Sequence, residues 1–244
     1  MAKPKFLLVP AILILSPFAM SQAITVPCTT ANAEIVASYA SQPIHLDAAK
    51  PAQDWQKAAP VAFCADWQGK NVYPGRETVV RALWTPKVLY LRFECAYRAL
   101  NVFPDSDPNG RRDHLWDRDV AEAFLQPDPG RERFYKEFEV APNGMWIDLD
   151  IGPGLQADLK SGMQRSVQID EKQHRWTAEL AIPMGALTDR FDPNAPWRVN
   201  FFRVEGGAEP RNYYAWRPTH TPEPNYHVPS AFGTMRFVGG PSAP

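Results

Sequence analysis

Leu115-Trp116-Asp117-Arg118-Asp119-Val120-Ala121-Glu122-Ala123-Phe124-Leu125 is followed, after the turn Gln126-Pro127-Asp128-Pro129-Gly130, by Phe134-Tyr135-Lys136-Glu137-Phe138-Glu139-Val140. Both runs alternate with period two, which makes each a strand with one buried and one available face. Glu122, Tyr135, Glu137 and Glu139 fall on the available face, and Trp116 stands at the mouth of the first strand.

The same pattern extends outward along the chain. Strands are expected near Ile44–Asp47, Glu77–Trp84, Val88–Tyr97, Val120–Gln126, Phe134–Ala141, Trp146–Ile151, Arg165–Asp170, Trp176–Ile182, Trp197–Glu205, Tyr213–Trp216 and Thr234–Val238. Gly, Pro, Asn and Asp clusters separate them, and the 25 prolines leave no long amphipathic helix. Helix is confined to short turns such as Ala52–Ala58 and Pro183–Leu187, too short for parallel crossovers. This is the signature of an all-β sandwich or barrel, in one domain and without internal repeats.

The N-terminus reads as a secretory signal over residues 1–23. Lys3 and Lys5 precede the apolar run Phe6–Met20, and Ser21-Gln22-Ala23 supplies small residues for cleavage. The run is shorter than the roughly 20 apolar residues a spanning helix needs. The exported chain is expected to begin near Ile24, with an extension over 24–41, a folded domain over 42–238 and a disordered tail over 239–244. A secreted or periplasmic location follows, with no membrane attachment after cleavage. The formal net charge of −1 supplies no basic surface for nucleic acid. An oxidising compartment permits a disulfide among Cys28, Cys64 and Cys95. Cys64 and Cys95 both lie on strand-like pieces, so the expected pair is Cys64–Cys95, with Cys28 free.

Several constellations bear on chemistry. Asp105-Ser106-Asp107-Pro108-Asn109-Gly110 resembles half a calcium loop, but Trp116 stands where an EF-hand needs its bidentate glutamate. A looser calcium site would use Asp105, Asp107, Asn109 and Asp113; the same residues also favour turns for local reasons. No other cofactor is called for. Glu137/Glu139 and Asp148/Asp150 are same-face carboxylate pairs, which a glycosidase could use and which any solvated strand face also produces. Met145, Met163 and Met184 are the candidate axial ligands for haem, and thioethers equally fill cores. The chain has no nucleophile elbow, zinc-protease helix or phosphate loop, and its five histidines lack zinc-ligand spacing. Trp116 and Tyr226 differ from the other aromatics in lying in loops dense with polar and turn residues, and His227 adjoins Tyr226. A carboxylate-lined sheet face with aromatics at its rim suits a polar ring such as a sugar, and does not suit a phosphate.

At these residues the chain resembles a family 9 carbohydrate-binding module. The likeness is carried by His45-Leu46-Asp47 with Trp55, by Val79–Trp84 running into Val88–Leu91, by Trp116–Phe124, and by Tyr226 with Pro229-Ser230-Ala231-Phe232-Gly233. It spans residues 42–238. The resemblance implies an antiparallel, immunoglobulin-like or jelly-roll β-sandwich with only minor helix. It implies a terminal sugar held between the rings of Trp116 and Tyr226, with carboxylate and amide groups on its hydroxyls. Glu122 matches the family's site glutamate, Asn225 offers the amide, and Glu139 stands where the family carries an arginine. The second ring is tyrosine where the family has tryptophan. The implied partner is a glycan, with a separate glycanase as a companion because such modules usually ride on one. The rival readings are a glycoside hydrolase using Glu122 with Glu137 or Glu139, a haem-binding domain on a related sandwich, and an interaction subunit whose ligand site has decayed.

Overall fold

The computed structural model describes residues 33–104, 110–208 and 210–240. Thirteen strands form in chain order: β1 Glu34–Tyr39, β2 Val61–Phe63, β3 Thr78–Thr85, β4 Val88–Ala96, β5 Val120–Gln126, β6 Tyr135–Val140, β7 Trp146–Gly152, β8 Leu155–Asp158, β9 Gln164–Asp170, β10 Arg175–Pro183, β11 Trp197–Glu205, β12 Asn212–Ala215 and β13 Gly233–Val238. Their hydrogen-bonded order is β8-β7-β6-β5-β11-β13-β1-β3-β4-β10-β9, with β12 added to β11 and β2 to β3. β1 runs parallel to both β13 and β3; the other pairings are antiparallel. Helix among the described residues is limited to one turn, α1 at Met184–Leu187, and short 3-10 turns.

The path folds over itself into a β-sandwich. Ala121, Ala123 and Leu125 of β5, Phe138 of β6 and Phe201 of β11 enter one buried core with Leu91 and Phe93 of β4 and Trp176 and Leu180 of β10. Phe93 and Phe201 meet across it edge to face, centroids 5.9 Å apart. Because strands alternate, the other residues of β5, β6 and β11 point away from this core. On that outer side Phe124, Tyr135, Phe202 and Val204 form a second cluster with Tyr226 and Phe232. The outer side of the opposite layer carries Leu83 and Tyr90, capped by Ile44, Trp55 and Ala58.

Four expectations are corrected. The domain begins before residue 42, since β1 lies in the middle of the sheet and Ile35 and Ala37 enter the main core. Ile44–Asp47 is a loop, not a strand. It is held from the side, with the Ile44 amide donating to the Tyr90 hydroxyl at 3.2 Å and the Asp47 amide to Glu179 at 3.0 Å. Gly239 and Gly240 belong to the fold rather than to a loose tail. A Cβ on Gly240 would lie 2.4 Å from the Trp84 ring, so this close approach requires glycine.

The Cys64–Cys95 pair does not form. Cys64 is disulfide-bonded, whereas Cys95 is a free, buried thiol whose pKa burial raises to about 11. Phe63 is opposite Thr78, and Thr78 is opposite Cys95. Two strand spacings, about 9–10 Å, therefore separate the Cys64 region from Cys95. A disulfide tolerates at most about 7 Å between α-carbons. Cys28 and the expected signal segment lie outside the described residues.

Candidate functional site

The outer face of β5, β6 and β11 opens into a pocket of about 310 Å³, lined by residues from several separate stretches of chain. Trp116 enters from the 3-10 turn Leu115–Asp117, which Leu115 anchors in the second cluster. The turn is entered through His114 at φ 55°, a left-handed conformation that histidine adopts more readily than most residues. The His114 ring lies 4.8 Å from that of Trp116, and Arg211 donates to the Trp116 carbonyl at 2.6 Å.

Glu122 on β5 is directly opposite Glu139 on β6, and Glu137 shares the face of Glu139 two residues back. One oxygen of each carboxylate lies within 4.8 Å of the others. All three side chains are buried. Among the described residues no amide, hydroxyl, ammonium or guanidinium donor reaches Glu122 Oε1, Glu137 Oε2 or either oxygen of Glu139. The hydrogen bond open to Glu139 is a proton shared with Glu137. Burial pushes the Glu122 and Glu139 carboxyls well above the usual range, reinforced by their neighbouring carboxylates and, at Glu122, opposed by Arg211. Burial also raises Glu137, against its contact with Glu139 and the nearby His227.

Asn225, Tyr226 and His227 close the pocket from the loop before β13. Tyr226 is less free than its polar surroundings imply. Its ring stacks on Phe202 at 4.1 Å and 13°, and its hydroxyl donates to the Arg203 carbonyl at 2.9 Å. One face and the hydroxyl are thus committed to the fold. Asn225 is exposed, and its side-chain oxygen accepts the His227 amide at 2.9 Å. His227 Nδ1 meets the Tyr135 hydroxyl at 2.6 Å, with Glu137 4.0 Å away.

Trp116, Glu122, Glu139, Asn225 and Tyr226, all singled out from sequence, therefore line one pocket, together with Glu137, Phe124, Gln156, Arg211, Tyr213 and His227. Glu137 is legible in sequence as a same-face carboxylate. Arg211 carries no such signal, because a long-range fold contact alone brings it here. The expected solvated character of the carboxylate face is corrected: the second cluster and the Trp116 and Tyr226 loops cover it. Of the proposed calcium ligands, Asp105, Asp107 and Asn109 lie outside the described residues. Asp113 is exposed and pairs with Arg111 at 2.7 Å. Met145, Met163 and Met184 are buried among hydrophobic side chains, as core filler.

The arrangement defines a β-sandwich that presents a ligand pocket with aromatic walls and a carboxylate floor on one outer face. Residues 46–240 match the family described as carbohydrate family 9 binding domain-like, and the chain belongs to that family. An extracellular protein of Arthroderma benhamiae is 24% identical over 181 residues, 68% of this chain and 80% of its own length. Two solved structures of a family 9 carbohydrate-binding module from Caldicellulosiruptor kristjanssonii share the fold at 16% identity and a TM-score of 0.62. One is a complex with cellotriose and the other with glucose; each aligns with 86% of this chain, and the alignment covers 95% and 98% of theirs respectively.

Proposed function

We propose that the protein is exported and binds a sugar unit of a glycan in this pocket, without catalysing a reaction on it. The observation that carries the reading is convergence. A half-buried tryptophan, a tyrosine, an exposed amide and a carboxylate cluster come from distant segments and line one space. Trp116 offers an apolar face for the ring, and Tyr213 and Tyr226 add aromatic wall to the same pocket. Asn225, Gln156 and Arg211 supply amide and guanidinium groups for hydroxyls. The family and the ligands of the two Caldicellulosiruptor structures support this assignment.

A glycosidase is less well supported. Its carboxyls must flank the scissile bond, roughly 5–10 Å apart. Here Glu122, Glu137 and Glu139 converge on one another at the floor. Export is supported by the apolar N-terminal run, the disulfide at Cys64 and the name of the Arthroderma relative. N-terminal sequencing of the exported protein should begin within a few residues of Ile24; an intact Met1 would remove that part.

Calorimetry with glucose and cellotriose tests the pocket. Stacking on Trp116 would cover about 60 Å² of apolar sugar face, worth about 1.5 kcal/mol. Trp116→Ala should then weaken binding about tenfold and leave the fold intact. Normal binding by Trp116→Ala would sink the assignment. Tyr226→Ala is not a clean test, since it also removes the Phe202 stack and the bond to Arg203.

A further inference from the structure

We propose that Glu122, Glu137 and Glu139 hold one hard divalent cation, of the calcium type, at the floor of the pocket. The three carboxylates are set by strand register rather than by flexible loops. Glu122 and Glu139 face each other across β5 and β6, and Glu137 follows on the same side. One oxygen from each lies within 4.8 Å of the others. Calcium stands about 2.3–2.6 Å from its oxygens, so oxygens on opposite sides of one ion are about 5 Å apart. The cluster has the dimensions of one coordination shell.

The second observation is independent of that spacing. Glu139 is completely buried, yet neither of its oxygens has a donor from another kind of residue; Glu122 Oε1 and Glu137 Oε2 also lack a hydrogen-bond donor, with His227 Nδ1 4.0 Å from the latter. Among the described residues, the buried carboxylates Glu179, Glu205 and Asp119 are matched, and Asp148 takes the Ser161 amide on one oxygen with Arg111 3.9 Å from the other. Glu179 takes Arg92 and the Asp47 amide. Glu205 takes Arg76, Arg203 and the Tyr214 hydroxyl. Asp119 takes the Asn101 and Gly206 amides. A buried carboxylate without partners is costly unless a cation or a proton meets it.

Charge favours a cation, and the donor set narrows its kind. The guanidinium that acts on Glu122 is Arg211, which is itself tied to the Trp116 carbonyl and to Asp117. Asp117 adds a further carboxylate near Glu139, so carboxylates outnumber the one guanidinium and the floor favours a cation. An all-oxygen donor set selects calcium, magnesium or manganese over zinc or copper. Calcium takes six to eight oxygens, so positions remain toward the open pocket. Sugar hydroxyls would fill them; that last step rests on the proposed function, whereas the ion itself does not.

The test uses the full chain, stripped with chelator and then freed of it. Calcium chloride, with magnesium and manganese for comparison, is titrated by calorimetry and followed by thermal melting. One calcium ion per chain and a raised Tm are expected. Glu139→Gln should weaken calcium binding by at least about tenfold, while Asp105→Asn with Asp107→Asn should not. If none of the three ions binds folded parent protein, or if Glu139→Gln binds as the parent does, the proposal falls. Glucosamine binding more tightly than glucose, with no metal uptake, would assign the cluster to an ammonium group and also overturn it. Titrating glucose and cellotriose with and without calcium separates the two readings. Calcium uptake without sugar binding leaves the ion and removes the sugar. Sugar binding unchanged by chelator, where calcium does bind, leaves the ion and removes its contact with hydroxyls.

Discussion

The outer faces of the two layers bury charge to the same depth in the same kind of register, with opposite pairing. On one, Glu179 of β10 is directly opposite Arg92 of β4; on the other, Glu122 of β5 is directly opposite Glu139 of β6. Glu179 and Glu139 both have 0% exposure. The first pair closes an ion pair, and the Asp47 amide satisfies the remaining oxygen at 3.0 Å. Arg81 and Glu94 extend the same face as a second pair. The second pair sets like charges against each other, an arrangement that normally weakens a sheet. Burial alone therefore does not separate these two sets of carboxylates. What separates them is the cation: Arg92 reaches Glu179, and no guanidinium or ammonium reaches Glu139.

The largest expected effect breaks the matched face. Arg92→Met keeps much of the volume of the side chain but leaves Glu179 buried without its cation. Losing one member of a buried pair costs about 3–5 kcal/mol, to be read from urea denaturation at neutral pH. The corresponding change on the unmatched face, Glu139→Gln in chelator, replaces a buried carboxyl that has no cation with an uncharged amide. It should cost nothing or stabilise by about 1 kcal/mol. If Glu139→Gln destabilises as strongly as Arg92→Met, the two faces are equivalent and the contrast is lost.

Alternation makes the layers legible: the strands from β3 to β7 and from β9 to β11 are visible in sequence because one face of each must be apolar. The same parity, a property of the sequence itself, places Glu122, Glu137 and Glu139 on one side. What parity cannot supply is depth. Glu139 reads as solvated because nothing local shows that the Trp116 turn and the Tyr226 loop fold over it. Tyr226 reads as a free loop ring because its partner, Phe202, is 24 positions earlier in the chain. β1 is hidden for a related reason. Its neighbours β13 and β3 are parallel to it and distant in sequence, so no hairpin turn announces it. The expected cysteine pairing fails on depth of another kind, an intervening strand between two strand-like segments.

The smallest expected effect sharpens the contrast through pH. Around the three carboxylates stand Arg211, His227, Tyr135 and Asp117. Burial, with mutual repulsion at Glu122 and Glu139, raises all three carboxyls above their usual value of 4.5. Well below that value both folded and unfolded chains hold these protons, and the cluster has no influence on the pH dependence of stability. As pH rises past 4.5 the unfolded chain releases them while the folded protein retains them. The unfolded state then binds fewer protons, so stability falls with increasing pH until the folded cluster ionises as well. Chelator-treated protein should therefore lose stability through these groups as pH rises above 4.5, and Glu139→Gln should flatten that slope. Urea midpoints measured at several pH values for parent and variant check it. Identical slopes would mean that the carboxylates titrate alike in the folded and unfolded chains, and that the cluster is solvated in solution despite its burial.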